Sequence, residues 1–488
     1  MARLEYGGLT RRRKFIIKQP LFPGYSARTG IRFAASNILV SDMATTFATQ
    51  RAPSLLQKLA DARARTDELF HIVRPEALYD RPIAERHRLI FYAGHLEAFD
   101  WNLLGRRHFD LPSFDPAFDQ LFAFGIDPVG GGLPTDIPED WPIRAKVSDY
   151  NQKLRSTLDE RLSPALELRS ENSAELKQLI EVAIEHRLMH AETLSYLLHQ
   201  MPLDRKFHHA DSPTGVAPQA KPRMIRIPAG TSTLGLRAQQ NSFGWDNEFE
   251  EHQVNVPEFH IDAYKVTNGD FLNFQSNGGY QDRSLWNDAD WSWTQSSDKS
   301  HPSFWIFREG KPFLRTMFDE IPLPLDWPVY VSHAEASAYA RWSKKELPSE
   351  AEWHRAAYGV AIESRETQIS ERAFPWGEQL PTSTHGNFDF QRWDPAPVGA
   401  YPAGASAFGV QGLIGNGWEW TRTIFAPFAG FKPFPFYPGY SADFFDGHHF
   451  VMKGGSSRTA ACMLRRSFRN WFQPHYPYVY TGFRCIEH

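Results

Sequence analysis

A long helical pattern that carries two histidines constrains this chain more than any other feature. Residues 173–199 contain no Gly or Pro, and their apolar residues recur at three- and four-residue spacing, which predicts a helix. His186 and His190 share one face of that helix, and this face continues the apolar stripe. Two buried imidazoles are costly without a partner, and one divalent metal ion can serve both. We therefore predict a metal site, although two ordinary core histidines would give the same spacing.

The third metal ligand has to come from another part of the chain. Glu192 lies two residues beyond His190, about 200° round the helix, so it is expected to be structural. His95 is the strongest candidate, because it follows an apolar stripe in a second predicted helix and the adjacent Gly94 permits close approach of a neighbour. Weaker candidates, with charged or loop-like neighbours, are His71, His87 and His108.

The length of 488 residues predicts two or three domains. Residues 1–50 hold eight Lys or Arg against two Asp or Glu, and we expect a disordered extension, with Met43 as an alternative start. Helical patterns predict a four-helix bundle over residues 51–206, followed by a linker over residues 207–223. Short strands, turns and many aromatic residues then predict an α+β domain over residues 224–488.

The individual elements follow from the same patterns. The predicted helices of the bundle are 54–73, 83–104, 150–162 and 173–199, with an aromatic loop over 108–141. In the last domain one clear helix is expected, at 333–345.

Composition excludes several classes of partner. A formal net charge of −4 gives no indication of nucleic acid or an anionic membrane as a partner. No apolar run approaches the ~18 residues that a membrane span needs. Two cysteines cannot form a disulfide framework, and this fits a reducing compartment, so we predict a cytoplasmic protein.

Seven short motifs in the last domain occur in the order typical of one family. They are IPAG (227–230), YKVTN (264–268), LPSEAEW (347–353), FPWG (374–377), GNGWEWT (415–421), GGS (454–456) and GFRC (482–485). Together they resemble the formylglycine-generating-enzyme (sulfatase-modifying factor) domain, whose fold is C-type-lectin-like. Oxidase members of that family depend on a close pair of copper-binding cysteines after the GGS motif. Only Cys462 lies there, so this activity is not expected, and Cys462 and Cys485 are expected to be small buried residues.

The two halves together resemble the ergothioneine-type sulfoxide synthases (hercynine oxygenases), over roughly residues 52–488. The bundle is then similar to the DinB-like domain of that family. The resemblance implies that His95, His186 and His190 hold a non-haem Fe(2+) ion. It also implies oxidative C–S bond formation at C2 of the imidazole of hercynine (N,N,N-trimethylhistidine), with O2 and a thiol or selenol donor as co-substrates, in ergothioneine biosynthesis.

The resemblance extends to a substrate-binding loop at residues 465–474. It implies that Asn470 holds the carboxylate of hercynine and Trp471 its trimethylammonium group, for which an indole face is well suited. Relatives that use γ-glutamylcysteine carry an Asp after this pair, whereas this chain has Phe472, so we expect a compact donor such as cysteine. Three nearby arginines could each hold a donor carboxylate: Arg465, Arg466 and Arg469.

The family also supplies a tyrosine that donates a proton near the iron. Tyr437 and Tyr440 are the candidates here, although both could be ordinary loop aromatics. The tyrosine could instead come from the bundle, where Phe122 and Phe124 lie in the predicted aromatic loop.

Other functions fit parts of the sequence. A selenoneine synthase, which joins a selenosugar to hercynine, would use the same iron scaffold and is compatible with Phe472. A non-catalytic ligand-binding module is a different class, and retention of all three histidines counts against it. A metal-dependent thiol transferase would fit the bundle alone, but the fused second domain counts against it.

Overall fold

Helices dominate the first part of the protein, and strands and loops dominate the rest. The computed structural model describes residues 53–125, 133–167, 173–208, 221–238, 242–360 and 371–488, and the predicted extension over residues 1–50 lies outside them. Pro53–His488 cluster into one unit. We call the described residues up to 208 the helical region and those from 221 onward the mixed region.

The helical region is built from α1 (Leu55–Ile72), α2 (Leu89–Asp100), α3 (Pro116–Phe124), α4 (Arg144–Glu167) and α5 (Ser173–Gln200). A π-helical segment, Trp101–His108, continues directly from α2. Helix α1 packs along α5, and α2 contacts α3, α4 and α5. The apolar stripe predicted for α5 is buried, from Leu176 to Leu198. Of the helices in the described residues, none combines the length and apolar character that a membrane crossing requires.

The second predicted helix begins later than the sequence pattern suggested. Helix α2 starts at Leu89 rather than at residue 83, because Arg88 has an extended backbone. Its guanidinium donates to the carbonyl oxygen of Tyr79 at 2.7 Å and to Asp136 at 2.8 Å. These bonds hold the segment before α2 in a turn. Ile83 is therefore buried in the core although it is not helical.

Helix α3 lies inside the segment predicted to be an aromatic loop. Its start carries a helix signal, because Asp115 accepts hydrogen bonds from the backbone N–H groups of Ala117 and Phe118, both at 3.1 Å, and Pro116 occupies the first position. Phe122 is therefore a buried helical residue rather than a loop aromatic. The side chain of Phe124 lies outside the described part of the chain.

The mixed region contains four small sheets. Its strands are β1 (Met224–Ile227), β2 (Gly230–Leu234), β3 (His252–Val256), β4 (Phe259–Asp262), β5 (Trp305–Arg308), β6 (Lys311–Arg315), β7 (Glu320–Pro322), β8 (Trp418–Ile424), β9 (Phe450–Lys453), β10 (Asn470–Phe472), β11 (Thr481–Gly482) and β12 (Ile486–Glu487). The strand orders in the described residues are β1-β4-β12, β10-β9-β8-β11, β2-β3 and β5-β6-β7. Strand β10 is an edge strand that pairs antiparallel with β9, with Trp471 opposite Val451.

Helices are more numerous in the mixed region than the single one expected from the sequence. They are α6 (Asn268–Ser276), α7 (Asp288–Ser296), α8 (His333–Trp342) and α9 (Glu350–Tyr358). Two of the missed helices begin with a capping box, formed by Thr267 with Asp270 and by Ser349 with Glu352. The helix predicted at 333–345 is confirmed as α8, whereas the other three were not predicted, because they are short and have little apolar periodicity.

Helix α5 joins the two regions through two glutamates seven residues apart. Glu185 accepts a hydrogen bond from the Trp245 indole at 2.8 Å and two from Arg465 at 2.6 and 3.0 Å. Glu192 accepts one from the Trp418 indole at 2.7 Å and one from Thr459 at 2.8 Å. Both carboxylates are buried. Burying them without partners would destabilise the contact between the two regions, and these hydrogen bonds offset that desolvation cost.

His199, near the end of α5, completes this joint. Its ring nitrogens lie 2.7 Å from the carbonyl oxygen of Arg315 and 3.1 Å from the hydroxyl of Tyr480. Because the carbonyl can only accept, Nε2 donates to it and Nδ1 accepts from the tyrosine. Burial lowers the pKa of His199 to about 3, so the folded imidazole is neutral.

We expect the stability of the protein to fall as the pH falls from 6.5 towards about 3. In this window the unfolded chain, where the His199 pKa has its ordinary value of 6.5, takes up a proton that the folded imidazole does not. His199→Gln should therefore weaken the pH dependence of the unfolding free energy, measured by urea unfolding between about pH 7 and pH 5.

The matched control is His260→Gln, which alters an exposed histidine of β4. It should leave the pH dependence unchanged. If the His199 variant also had the wild-type dependence, this account of the joint would be wrong.

Candidate active site

Three imidazoles converge where α2 meets α5. His95 comes from α2, and His186 and His190 come from α5, with ligand atoms that all lie within 4.8 Å of one another. The Nε2 atoms of His95 and His190 are 3.3 Å apart, close to the roughly 3 Å expected for two nitrogens that each lie ~2.1 Å from one ion. Within the described ranges, no other group of three His, Cys, Asp or Glu side chains meets this criterion.

The hydrogen bonds around these rings fit a metal ion. His95 Nδ1 lies 2.7 Å from the carbonyl oxygen of Phe122, so Nδ1 donates and the lone pair of Nε2 remains available. Both ring nitrogens of His186 and Nδ1 of His190 are buried without a hydrogen-bond partner among the described residues. Buried nitrogens without partners are costly, and a metal ion that binds one nitrogen of each ring would satisfy one of the two on His186. That these residues bind a metal remains a prediction.

Burial also keeps the three rings in the form that binds metals. It lowers the pKa of His95 to about 4 and lowers the pKa values of His186 and His190 well below the ordinary range. The neighbouring imidazoles lower the pKa values of His186 and His190 further. A metal ion binds the neutral imidazole, so the environment does not have to remove protons first.

The close approach predicted at Gly94 is confirmed. A side chain at Gly94 would place its first carbon 2.4 Å from the ring of Phe122. The absence of that carbon lets α3 approach α2, and this approach brings the carbonyl of Phe122 to His95.

A cavity of about 660 Å³ lies beside the histidines, between the helical and mixed regions. Its wall contains His186 and His190 from α5 and all five side chains predicted for substrate binding or proton transfer, which are Asn470, Trp471, Phe472, Tyr437 and Tyr440. These residues lie more than 240 positions from the histidines in the sequence, and the fold brings them to one cavity.

Asn470 and Trp471 offer an amide and an indole to this cavity. Asn470 Oδ1 accepts from the backbone N–H of Trp471 at 2.8 Å, which leaves the amide N–H groups of Asn470 for other acceptors. The indole stacks on Phe425 at 4.1 Å, so one of its faces is covered. The rings of Tyr440 and Phe444 lie 5.5 Å from it.

Phe472 lies beside an arginine that the sequence did not suggest. The ring of Phe472 stacks on Tyr476, and the guanidinium of Arg86 lies 6.0 Å from its centre. Arg86 donates to the hydroxyls of Tyr476 at 2.8 Å and Tyr196 at 2.9 Å. The groups that interact with it among the described residues are tyrosines, not carboxylates, and it lines the cavity.

The three arginines expected as alternative carboxylate binders are already paired. Arg465 binds Glu185 and Glu248, Arg466 binds Glu371 at 2.9 Å, and Arg469 binds Glu350 at 3.0 Å. Breaking such buried pairs to bind a substrate would leave a glutamate uncompensated, so these arginines are structural.

The two candidate tyrosines have different surroundings. The Tyr437 ring lies 6.3 Å from that of His186, and its hydroxyl makes no hydrogen bond within the described residues. Tyr440 stacks on Trp245 at 3.9 Å, and its hydroxyl lies 3.4 Å from the sulfur of Met189. Burial raises the pKa of both hydroxyls, so both stay protonated. Only Tyr437 has a hydroxyl that is not already engaged.

Comparison with known families assigns the mixed region. The model of the sulfatase-modifying factor enzyme 1-like domain matches residues 211–488, more than half of the chain. The chain belongs to this family. The predicted formylglycine-generating-enzyme-like domain is therefore confirmed, whereas the match does not test the DinB-like assignment of the helical region.

Several similar proteins have names that describe a reaction or a biosynthetic pathway. Hercynine oxygenase from Mycobacterium tuberculosis is 41% identical over 254 residues, which cover 51% of this chain and 57% of that protein. Ergothioneine biosynthesis protein 1 from Neurospora crassa is 29% identical over 487 residues, which cover 84% of this chain and 55% of that protein. In both cases the chain covers less than two thirds of the relative. The predicted resemblance to ergothioneine-type sulfoxide synthases is confirmed.

Lower similarity is found to a formylglycine-generating enzyme and to a solved structure. Formylglycine-generating enzyme from Mus musculus is 30% identical over 236 residues, which cover 43% of this chain and 60% of that protein. Among solved structures, PvdO from Pseudomonas aeruginosa is 20% identical with a TM-score of 0.34, and covers 57% of this chain and all of that chain.

The cysteines of this sulfatase-modifying factor-like domain are only partly as expected. Cys485 is buried, but Cys462 is exposed, so the expectation that both are buried was wrong. Cys462 lies in a short helical turn, where Met463 rather than Cys462 points into the core.

We expect His95→Ala, His186→Ala and His190→Ala each to lose tight Fe(II) or Co(II) binding, because each removes one of three convergent imidazoles. Equilibrium titration of metal-stripped protein measures the affinity, and circular dichroism checks that the helices remain.

His71→Ala is the control, since it removes an exposed histidine of α1. It should bind metal as the wild type does. Unchanged metal affinity in His190→Ala would exclude that residue as a ligand.

Proposed function

We propose that this chain is a non-haem iron(II)- and O2-dependent oxygenase that joins a thiol donor to C2 of the imidazole of hercynine, in ergothioneine biosynthesis. The observation that carries this proposal is the single cavity that contains His186 and His190 together with Asn470 and Trp471. The similarity to proteins named hercynine oxygenase supports it. The helical region is then a DinB-like bundle that holds the cofactor.

The three neutral imidazoles form a donor set that suits Fe(II), with His95, His186 and His190 as its ligands. A bound iron(II) ion would supply the redox chemistry that activates O2. The C2–H bond of hercynine and the S–H bond of the donor break, and a C–S bond forms. One atom of O2 becomes the sulfoxide oxygen and the other leaves as water, which balances the reaction.

Asn470 and Trp471 are proposed to bind hercynine by its two charged groups. The free amide N–H groups of Asn470 would donate to the carboxylate. The indole face of Trp471 that Phe425 leaves uncovered would receive the trimethylammonium group, an attraction that strengthens when the cation is desolvated.

Phe472 and Arg86 are proposed to select the donor. A carboxylate would give the Arg86 guanidinium the counter-ion that it lacks among the described residues. Cysteine has one carboxylate and one ammonium group on a short frame. γ-Glutamylcysteine brings an additional charged segment, and Phe472 offers no partner for its ammonium group.

We expect cysteine to be preferred over γ-glutamylcysteine by at least about tenfold in kcat/KM, or ~1.4 kcal/mol. Arg86→Met should also reduce the preference for cysteine over cysteamine, which lacks the carboxylate. The measurement incubates Fe(II)-loaded protein with hercynine, O2 and each donor, and identifies the products by mass.

Arg161→Met, an exposed arginine of α4, is the control and should keep the wild-type preferences. Equal or better turnover of γ-glutamylcysteine would show that the inference from Phe472 is wrong. A product with a selenosugar alone would favour the selenoneine synthase, and metal binding without turnover of any donor would favour a ligand-binding module.

Tyr437 is proposed as the proton donor near the metal. Its ring lies 5.4 Å from that of Phe99, which itself stacks on His186 at 3.4 Å. Burial raises the pKa of its hydroxyl, with Asp246 adding to the effect, so a proton is available for donation at neutral pH. Tyr440 is less suited because its ring is held by Trp245.

Tyr437→Phe should lower kcat by about 100-fold or more while KM for hercynine changes little, because a general acid acts in the transition state. Tyr440→Phe is the matched variant and should have a much smaller effect on kcat. Steady-state kinetics with hercynine and the best donor decide between them. A larger effect for Tyr440 would reverse the assignment.

A further inference from the structure

Arg187 connects the two helices that carry the candidate metal ligands. It directly follows His186 on α5, and its side chain is completely buried. Its guanidinium crosses to α2, where it donates to Glu97 at 2.9 Å, to Asp100 at 2.6 Å and to the carbonyl oxygen of Leu96 at 2.9 Å. These three acceptors belong to α2, and a longer hydrogen bond of 3.4 Å reaches the hydroxyl of Thr66 on α1.

The acceptors of Arg187 lie next to His95 in the sequence. Leu96 and Glu97 are the two residues that follow His95, and Asp100 ends the helix. A movement of α2 along or around its axis that displaced His95 would therefore also stretch these bonds. The geometry of a guanidinium is planar and its N–H directions are fixed, so such bonds define position more strictly than apolar packing does.

Further ion pairs extend this connection to the other helices. Glu97 also accepts from Arg155 of α4 at 2.6 Å, and Arg155 pairs with Asp67 of α1 at 2.7 Å. Helix α2 is thus fixed against α1 and α4 as well as against α5. None of these contacts involves the nitrogens of the three histidines, so they form without a metal.

We propose that Arg187 is a positioning residue that sets His95 against His186 and His190 before a metal binds. Stability alone does not require a buried charge here, because apolar residues of similar volume are often as stabilising as a buried ion pair. The directional hydrogen bonds fix the register between the two ligand-bearing helices, which apolar packing alone would not do. The inference rests on the metal site of the proposed function.

The test compares Arg187→Met with Arg63→Met. Arg63 is also buried, but it pairs α1 with α4 through Asp159 at 2.6 Å; it acts on Asp100 through its charge and donates no hydrogen bond to α2 or α5 within the described residues. Each variant is metal-stripped and titrated with Co(II), whose visible spectrum reports on ligand geometry. Urea unfolding measures the stability of each variant, so that loss of stability can be separated from loss of geometry.

We expect Arg187→Met to bind Co(II) about tenfold or more weakly and with an altered spectrum, as for other groups that orient metal ligands without touching the metal. Arg63→Met should lose stability while its Co(II) affinity and spectrum stay as in the wild type. Arg187→Lys should recover only part of the affinity, because an ammonium cannot reproduce the guanidinium fork.

Asp100→Asn keeps the side-chain shape and weakens one bond, and it takes the place of Arg187→Met should that variant fail to fold. Wild-type affinity and spectrum in Arg187→Met, or in Asp100→Asn in its place, would overturn the proposal. An equal loss in Arg63→Met would also overturn it. Absence of Co(II) binding by the wild type would instead refute the metal site, and with it the proposed function.

Discussion

Helix α5 carries buried charged side chains, and each of them is costly to desolvate unless it has a partner. Around the helix, successive residues are about 100° apart, so three faces alternate within one turn. Glu185 and Glu192 face the mixed region and receive two indole N–H groups. His186 and His190 face the cavity, and Arg187 faces α2. The same helix therefore joins the two regions, contributes two candidate ligands and fixes the position of the third.

This arrangement explains why the cavity lies between the two regions. Helix α5 carries two candidate ligands and also packs against the mixed region. The surface opposite the histidines therefore comes from the mixed region. Strand β10 provides it, since it is the edge strand of its sheet and presents Asn470, Trp471 and Phe472 to the cavity. The proposed substrates would thus contact both regions at once, although each region alone carries only part of the site.

The charges of the cavity also limit what it can bind. In its wall, Arg469 is neutralised by Glu350 and Glu192 is occupied by its donors. Arg86 is different, because its described partners are uncharged tyrosines. A half-buried cation without an anion favours a ligand that brings one. This supports a thiol donor that has a carboxylate, and it agrees with an apolar side chain, Phe472, at the neighbouring position in the cavity wall.

Features that depend on local periodicity and local sterics could be predicted from the sequence. The four-residue spacing of His186 and His190 requires a shared helical face, and Gly94 beside His95 permits close packing by any neighbour. Ordered motifs identified the domain of the mixed region. The fold determines which distant side chains meet, such as Arg86 and Tyr476, which lie 390 positions apart in the sequence. It also distinguished Tyr437 from Tyr440, which have similar sequence surroundings but different contacts. Such pairings depend on how separate segments pack, and no local pattern encodes that packing.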